Sequence, residues 1–250
     1  MITLEELNET KEKRKTNSYY EEKEYLQYIF LNAISRYPEN FVFKGGTCLR
    51  ICFGLERASE DLDFSTDLTV NKIKELVGKC LKSFELLNIN YKVYSEKEFE
   101  GNLRIEVRFE GPLFIGKPHS TNTLKIDFNK RKVRYKVTKV ITKLFSDVPL
   151  FTIVAMDEKE ILAEKIRSLI NRSASRDMYD IWMLLSKNIE IDKKLLLDKL
   201  REEKSDIHKL KFPSKEEYER DLINLVSNYP SYEQIKKEVS EIVSKTKKIQ

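Results

Sequence analysis

Hydrophobic residues recur at two spacings along this chain, and the two spacings predict different kinds of element. Apolar positions three or four residues apart, as on one helix face, run through residues 19–36 and 71–88. A more polar segment with a few leucines, residues 4–16, predicts a further short helix. Strict alternation in residues 103–109 predicts a strand with one buried and one solvent-facing side. Shorter apolar runs predict strands at residues 41–44, 61–65, 89–94, 124–128 and 133–140.

From about residue 150 the hydrophobic spacing becomes almost wholly helical. Asp157 and Ser214 are typical N-cap residues at the starts of two of these segments. We expect helices at residues 157–171, 176–186, 193–203, 215–228 and 232 to the C-terminus. The pattern therefore predicts an α+β fold: a mixed sheet with flanking helices in residues 1–148, followed by an all-helical C-terminal domain in residues 149–250.

The composition bounds the class of protein. The chain has 250 residues, of which 40% are hydrophobic and 35% are charged. No segment approaches the roughly 20 consecutive apolar residues of a membrane span, so we expect no membrane partner. The N-terminus lacks the apolar core of a signal peptide, which predicts a cytoplasmic protein.

The few cysteines and histidines argue against a disulfide framework and against zinc. There are three cysteines, an odd number, and two histidines. Cys48 and Cys52 lie four residues apart within an apolar helical pattern, and neither histidine completes a ligand set with them. We therefore expect these cysteines to be packing residues.

The formal charge is +5, and its distribution along the chain is uneven. Residues 125–143 contain eight lysines or arginines against a single acid, Asp127. Such a segment presents a positive field to phosphates. Its charge alone does not distinguish a nucleic-acid contact from a solvated strand surface.

A glycine pair follows the strand predicted at residues 41–44. Gly45 and Gly46 precede a helical segment that begins at Thr47 and ends at Gly54. Glycines at this position let the backbone approach a ligand, and the N-terminus of the helix offers free N–H groups to phosphate. The same pair also occurs in ordinary turns.

Asp61-Leu62-Asp63 lies at the start of the next predicted strand. Residues i and i+2 of a strand point to the same face, so both carboxylates are expected on one side while Leu62 faces the core. Two carboxylates this close repel unless a cation compensates them, and Mg²⁺ prefers oxygen ligands. Asp127, within the apolar run 124–128, offers a third carboxylate on a neighbouring strand or, alternatively, a carboxylate facing only water.

These motifs together resemble a known family. The segments KGGT (44–47) and RASEDLDF (57–64), with a later strand aspartate, resemble the nucleotidyltransferase superfamily that includes DNA polymerase beta. They resemble more narrowly the AbiEii/AbiGii-type nucleotidyltransferase toxins of bacterial and archaeal toxin–antitoxin systems. ILAEKIR (161–167) followed by RDMYD (176–180) is similar to that family's second block. The resemblance covers about residues 41–65, 124–128 and 158–185, with threonine at 47 where many members have serine.

The resemblance implies a nucleotidyltransferase-type mixed sheet and a role for each matching residue. It implies a toxin that transfers NMP from an NTP to an acceptor hydroxyl, with two Mg²⁺ ions as cofactors. Asp61, Asp63 and Asp127 would be the catalytic and metal-binding residues. The nucleotide-binding residues would be Gly45, Gly46, Thr47, Arg57, Lys165 and Asp180. Asp177 has two interpretations, orientation of Arg176 or a structural salt bridge within a helix or between helices.

The resemblance makes RNA, with the tRNA 3′ end favoured, the expected acceptor and an antitoxin an expected partner. A protein hydroxyl is a further acceptor that the sequence leaves open. Two alternatives remain: a catalytically silent nucleotide-binding adaptor, and a nucleotidyltransferase acting on a small molecule.

Overall fold

A computed structural model describes residues 1–226 and 228–247. Within these residues the α-helices are α1 Leu4–Arg14, α2 Ser18–Ile34, α3 Gly45–Phe53, α4 Val70–Glu85, α5 Glu158–Arg172, α6 Ser175–Ser186, α7 Lys193–Glu202, α8 Lys215–Leu222 and α9 Tyr232–Lys247. The strands are β1 Val42–Lys44, β2 Leu62–Ser65, β3 Tyr91–Phe99, β4 Asn102–Phe109, β5 Asn122–Asn129, β6 Lys136–Ile141 and β7 Phe151–Met156.

The strands form one seven-stranded sheet in the order β3-β4-β5-β2-β1-β7-β6. β2 runs parallel to β5 and β1 parallel to β7, whereas β1–β2, β3–β4 and β4–β5 are antiparallel. Helices flank this sheet, and the chain continues as α5–α9. The predicted α+β fold, with a mixed sheet followed by C-terminal helices, is therefore confirmed.

The strand β7 corrects the prediction that the chain after residue 150 is almost wholly helical. Phe151–Met156 pairs in parallel with β1, where Ala155 is the partner of Phe43. An isolated six-residue apolar run carries no decisive spacing, so its conformation depends on the partner strand. That partner lies more than one hundred residues earlier in the chain, which local spacing cannot reveal.

The edge strand β3 is longer than predicted. The sequence predicts a strand at residues 89–94, yet β3 continues to Phe99. Its second half, Ser-Glu-Lys-Glu-Phe, has a largely polar composition that hides a strand in the sequence. Hydrogen bonding to β4 through the partners Lys97 and Arg104 holds this half in place.

One face of the sheet packs against helices and forms the core; we call it the inner face. Phe64 of β2 and Phe128 of β5 stack on it with their ring centroids 5.4 Å apart, and Phe30 of α2 lies 6.3 Å from Phe64. Phe84 of α4 packs on Phe109 of β4. Alternation along β2, β4 and β5 sends their polar residues to the opposite, outer face.

The C-terminal helices begin where the N-cap residues predict. The Asp157 side chain accepts a hydrogen bond from the backbone N–H of Lys159, and Ser214 forms a capping box with Glu217. The helix predicted at residues 215–228 ends earlier, at Leu222. Residue 227 and residues 248–250, also in predicted helices, lie outside the described residues.

The chain divides into two compact units. The first comprises residues 1–52 and 60–155, and the second comprises residues 53–59 and 156–250. The division into residues 1–148 and 149–250 stays a prediction about domains. No helix in the described part of the chain is long and apolar enough to cross a membrane.

Candidate active site

The three predicted catalytic aspartates occupy neighbouring positions in the first unit. Parallel pairing of β2 with β5 makes Asp63 and Asp127 direct Cα partners, and Asp61 immediately precedes β2. Burial raises the pKa of Asp61, and the nearby carboxylates of Asp127 and Glu60 add to this effect against the opposing charge of Lys125. The register therefore brings Asp127 beside two acids that lie more than sixty residues earlier in the sequence.

Gly45 lies directly against this acidic group. Its φ is +80°, and a Cβ atom placed on it would overlap the carboxylate of Asp63. The partner of Asp63 on β1 is Lys44, so the strand that leads into Gly45 runs beside the acids. Glycine is required here for both its backbone conformation and its lack of a side chain.

The helix α3 begins at Gly45 itself, two residues before the predicted start. Gly46 and Thr47 therefore lie in its first turn. The buried Thr47 hydroxyl donates a hydrogen bond of 2.5 Å to the backbone carbonyl of Asp61. Thr47 thus links the first turn of α3 to the residue that begins the acidic motif, and its contact with phosphate stays a prediction.

Arg104 of β4 belongs to the same cluster, and the sequence gives no sign of it. Its Nε and Nη2 donate to the two carboxylate oxygens of Asp127 at 2.7 and 2.9 Å. These hydrogen bonds raise the pKa of the guanidinium. In sequence Arg104 is one of several charged residues in an alternating strand, and only its register opposite Asp127 distinguishes it.

The acids have the donor chemistry that Mg²⁺ requires, but they are not yet gathered around one point. Asp61, Asp63 and Asp127 supply carboxylate oxygens, the ligands preferred by Mg²⁺. Within residues 1–226 and 228–247, no three acidic, histidine or cysteine side chains already converge in a metal-binding arrangement. Both oxygens of Asp127 accept hydrogen bonds from Arg104, so a metal at Asp127 would compete with that guanidinium for the carboxylate.

A second group of predicted residues forms a buried ion cluster within the second unit. Arg57 donates to Asp180 through Nε at 2.6 Å and through Nη2 at 2.7 Å. Lys165 of α5 lies 2.7 Å from Asp180 and 3.0 Å from Asp177, both on α6. Arg172, at the end of α5, makes two hydrogen bonds to Asp177. We call these five residues the ion cluster.

The charges of the ion cluster keep its four buried side chains, Arg57, Lys165, Asp177 and Asp180, charged. Burial acts to lower the pKa of Lys165, but Asp180 and Asp177 outweigh it and raise that pKa. Burial acts to raise the pKa of Asp177, but Lys165 and Arg172 bring it down to about 2. The pKa of Asp180 is lowered in the same way, by Arg57 and Lys165 against burial.

The ion cluster shows the contacts of Asp177, whereas it does not test contacts with a nucleotide. Asp177 makes a structural salt bridge to Lys165 and Arg172, which was one of its two interpretations. The structure brings Arg57, Lys165 and Asp180 together, as members of one predicted set. Nucleotide binding by these three residues stays a prediction.

Most cations of the basic segment 125–143 lie at the surface. Lys139 of β6 is half-buried and close enough to Cys48 to affect the pKa of that buried thiol, which burial raises. The exposed members are Lys125, Lys130, Arg131, Lys132, Arg134, Lys136 and Lys143.

Solved structures similar to this chain include proteins from two bacteria. MenT4, a nucleotidyltransferase toxin from Mycobacterium tuberculosis H37Rv, is 19% identical, with a TM-score of 0.72 over 100% of this chain and 91% of that one. JHP933 from Helicobacter pylori is 20% identical, with a TM-score of 0.61 over 93% of this chain and 94% of that one. At these identities the likeness shows the fold. No curated protein matches the chain in sequence.

The family is shown by a different comparison. A family model described as "Nucleotidyl transferase AbiEii toxin, Type IV TA system" matches residues 29–246. That range contains the glycine pair, the three aspartates and the entire ion cluster. The chain therefore belongs to the AbiEii family of nucleotidyltransferase toxins of type IV toxin–antitoxin systems.

Proposed function

We propose that this toxin transfers a nucleoside monophosphate from an NTP to a hydroxyl of RNA, with the tRNA 3′ end as the favoured acceptor. The observation that carries the proposal is the direct pairing of Asp63 with Asp127 on parallel strands, beside Gly45. Two opposed carboxylates repel each other, so the pair favours a bound cation in addition to the Arg104 guanidinium that bonds to Asp127. A glycine packed against one of them leaves no side chain in the way of a ligand.

Asp61, Asp63 and Asp127 would hold the two Mg²⁺ ions that the reaction requires. Bound Mg²⁺ would supply charge neutralisation for the triphosphate and for the departing pyrophosphate. Gly45, Gly46 and Thr47 would bind the triphosphate through the first turn of α3, because the N-terminus of a helix carries a partial positive charge that favours anions. Arg57, Lys165 and Asp180 are the remaining residues proposed to bind the nucleotide.

We assign Asp127 the role of general base for the acceptor hydroxyl. Once Arg104 releases it, its carboxylate would accept the proton of the attacking hydroxyl. The hydroxyl oxygen would then bond to the α-phosphorus while the bond from that phosphorus to pyrophosphate breaks, in line. Each nucleotide transferred therefore releases one pyrophosphate.

The basic segment 125–143 would bind the phosphate backbone of the acceptor. Seven of its eight cations are exposed, which is the placement that nucleic-acid binding needs. An RNA acceptor explains this segment, whereas a small-molecule acceptor would give it no role.

The test is incubation of the protein with each labelled NTP, Mg²⁺ and total RNA. We expect label on RNA with the wild type and none with Asp61→Asn/Asp63→Asn. Asp67→Asn, which changes an exposed carboxylate just after β2, is the matched control and should retain transfer. Equal labelling by the double variant would refute the assignment of the acids. Label only on small acceptors would refute RNA as the acceptor, and Mg²⁺-independent nucleotide binding without transfer would indicate an adaptor.

A further inference from the structure

The outer face of β3 and β4 carries two pairs of directly opposed basic residues. Lys92 is the Cα partner of Arg108, and Lys97 is the partner of Arg104. Like charges directly opposite each other destabilise an antiparallel pair of strands. Asp127 already compensates Arg104, so a bound polyanion would chiefly relieve the repulsion between Lys92 and Arg108 and compensate the charge of Lys97. The arrangement therefore indicates an anionic ligand on this face.

Two aromatic rings lie exposed on the same edge strand. The register of β3 shifts between Val93 and Ser95, and the extra residue at this bulge is Tyr94. A bulge redirects a side chain, and here the Tyr94 ring lies under the guanidinium of Arg108, whose Cζ is 3.6 Å from the ring centroid. Tyr94 is 56% exposed and Phe99, at the end of β3, is 71% exposed. Exposed rings beside cations are the surface on which unpaired bases stack.

The basic pairs continue across the sheet to the candidate catalytic acids. Lys97 is opposite Arg104, Arg104 is opposite Asp127, and Asp127 is opposite Asp63, in one row across four strands. At the usual strand spacing this row spans about 14 Å. A strand of nucleic acid on β3 and β4 would therefore lie within a few nucleotides of the acids. On this face the basic residues of β3 and β4 are Lys92, Lys97, Arg104 and Arg108, and Glu106 of β4, opposite Lys125 of β5, is an acid between the two arginines.

We propose that the outer face of β3 and β4 binds a single-stranded segment of the acceptor RNA. Tyr94 and Phe99 stack with its bases, while the two basic pairs, Lys92–Arg108 and Lys97–Arg104, bind its phosphates. A fully paired duplex offers no free base faces, so the surface selects unpaired nucleotides. This inference rests on the proposed function, because it assigns the site to the acceptor of that reaction.

The test measures affinity directly, by fluorescence anisotropy of a labelled single-stranded oligoribonucleotide with no NTP and no Mg²⁺. Tyr94→Ala/Phe99→Ala should raise the Kd about tenfold or more, because each change removes one stacked base contact. Lys97→Gln should reduce the slope of log Kd against log salt concentration by about 0.7, the contribution of one phosphate contact.

Tyr19→Ala is the matched control for the aromatic variant. Tyr19 is a 47% exposed tyrosine with a cation, Lys23, 4.8 Å from its ring, but it lies on α2 rather than on the outer face. Its substitution should leave the Kd unchanged. The substituted rings are exposed, so the wild type, the aromatic double variant and Tyr19→Ala should unfold at similar denaturant concentrations.

An unchanged Kd in the aromatic double variant would overturn the proposal and assign this face to a protein partner instead. Equal affinity for a blunt duplex would overturn its selectivity for single strands. Oligonucleotide binding that depends on Tyr94 and Phe99, without any label transfer, would refute the proposed function and retain this site. Label transfer with an unchanged acceptor KM in the double variant would refute this binding site and retain the proposed function.

Discussion

The ion cluster should be the most sensitive point of the second unit, and Asp180→Ala is the perturbation that shows it. The Asp180 carboxylate is fully buried and bonds to Arg57, whose side chain is 3% exposed, and to Lys165. The cluster contains three cations and two carboxylates, a formal charge of +1. Removal of Asp180 raises that charge to +2 and leaves the buried guanidinium of Arg57 without its carboxylate.

The expected cost follows from the burial of the partners that remain. Removal of one partner of a buried ion pair costs about 3–5 kcal/mol, because the other charge stays desolvated. Arg172→Ala removes a cation from the same cluster, but its side chain is 60% exposed, so we expect a cost below about 1 kcal/mol. Arg57→Leu/Asp180→Leu removes both buried charges and returns the cluster to +1. This double variant should be less destabilised than Asp180→Ala.

Tryptophan fluorescence during urea unfolding measures these differences in the second unit. The single tryptophan of the chain, Trp182, lies on α6 two residues after Asp180, and its indole N–H donates to Glu238 at 2.6 Å. The signal therefore follows the unfolding of the helices that hold the cluster. Stability is compared at a pH where all five side chains are charged.

Equal destabilisation by Asp180→Ala and Arg172→Ala would contradict the argument from burial. A double variant less stable than Asp180→Ala would contradict the argument from uncompensated charge. Because the measurement is of unfolding rather than of transfer, neither result depends on the proposed function.

Three further predictions concern single residues. The pKa of Asp177 falls from 3.8 to about 2 on folding, so its contribution of about 2 kcal/mol is present above pH 4 and is lost as the pH falls toward 2. Asp177→Asn should flatten the dependence of stability on pH in that window. Gly45→Ala should abolish label transfer and lower the stability of the protein, because the added Cβ would overlap Asp63. The control, Gly78→Ala, lies on α4 with open space around it. It should raise the stability by about 0.5–1 kcal/mol, measured by thermal unfolding. Arg104→Gln frees Asp127, so Mg²⁺ should raise the Tm at lower concentrations than in the wild type; an unchanged Mg²⁺ requirement would refute competition for that carboxylate.

Local periodicity was sufficient for most of the helices and for the alternating strand β4. The amphipathic helix predicted at residues 71–88 is α4, Val70–Glu85, and the N-caps Asp157 and Ser214 begin α5 and α8. These features depend on residues within one or two turns of each other, so the sequence contains the information directly. The boundaries of α4 and α5 differ from the predictions by at most three residues, whereas α8 ends six residues before its predicted end.

Pairing with distant strands determines the two elements that the sequence analysis did not predict, β7 and the second half of β3. β7 is six residues long and depends on its parallel partner β1, while the polar half of β3 is held by β4. In both cases the stabilising contacts come from another strand. The spacing of apolar residues within the segment therefore does not report them.

The features of the candidate site are likewise of two kinds, those that the sequence determines and those that depend on the tertiary structure. The sequence by itself determined the kinds of residue, glycines beside a pair of aspartates, and the resemblance that relates them to nucleotidyl transfer. Only the tertiary structure decided that Gly45 touches Asp63, that Asp127 is its cross-strand partner and that Arg104 holds Asp127. The physical reason is that chemical identity is a local property of the chain, whereas strand register and the partner of a buried charge are fixed by packing between distant segments.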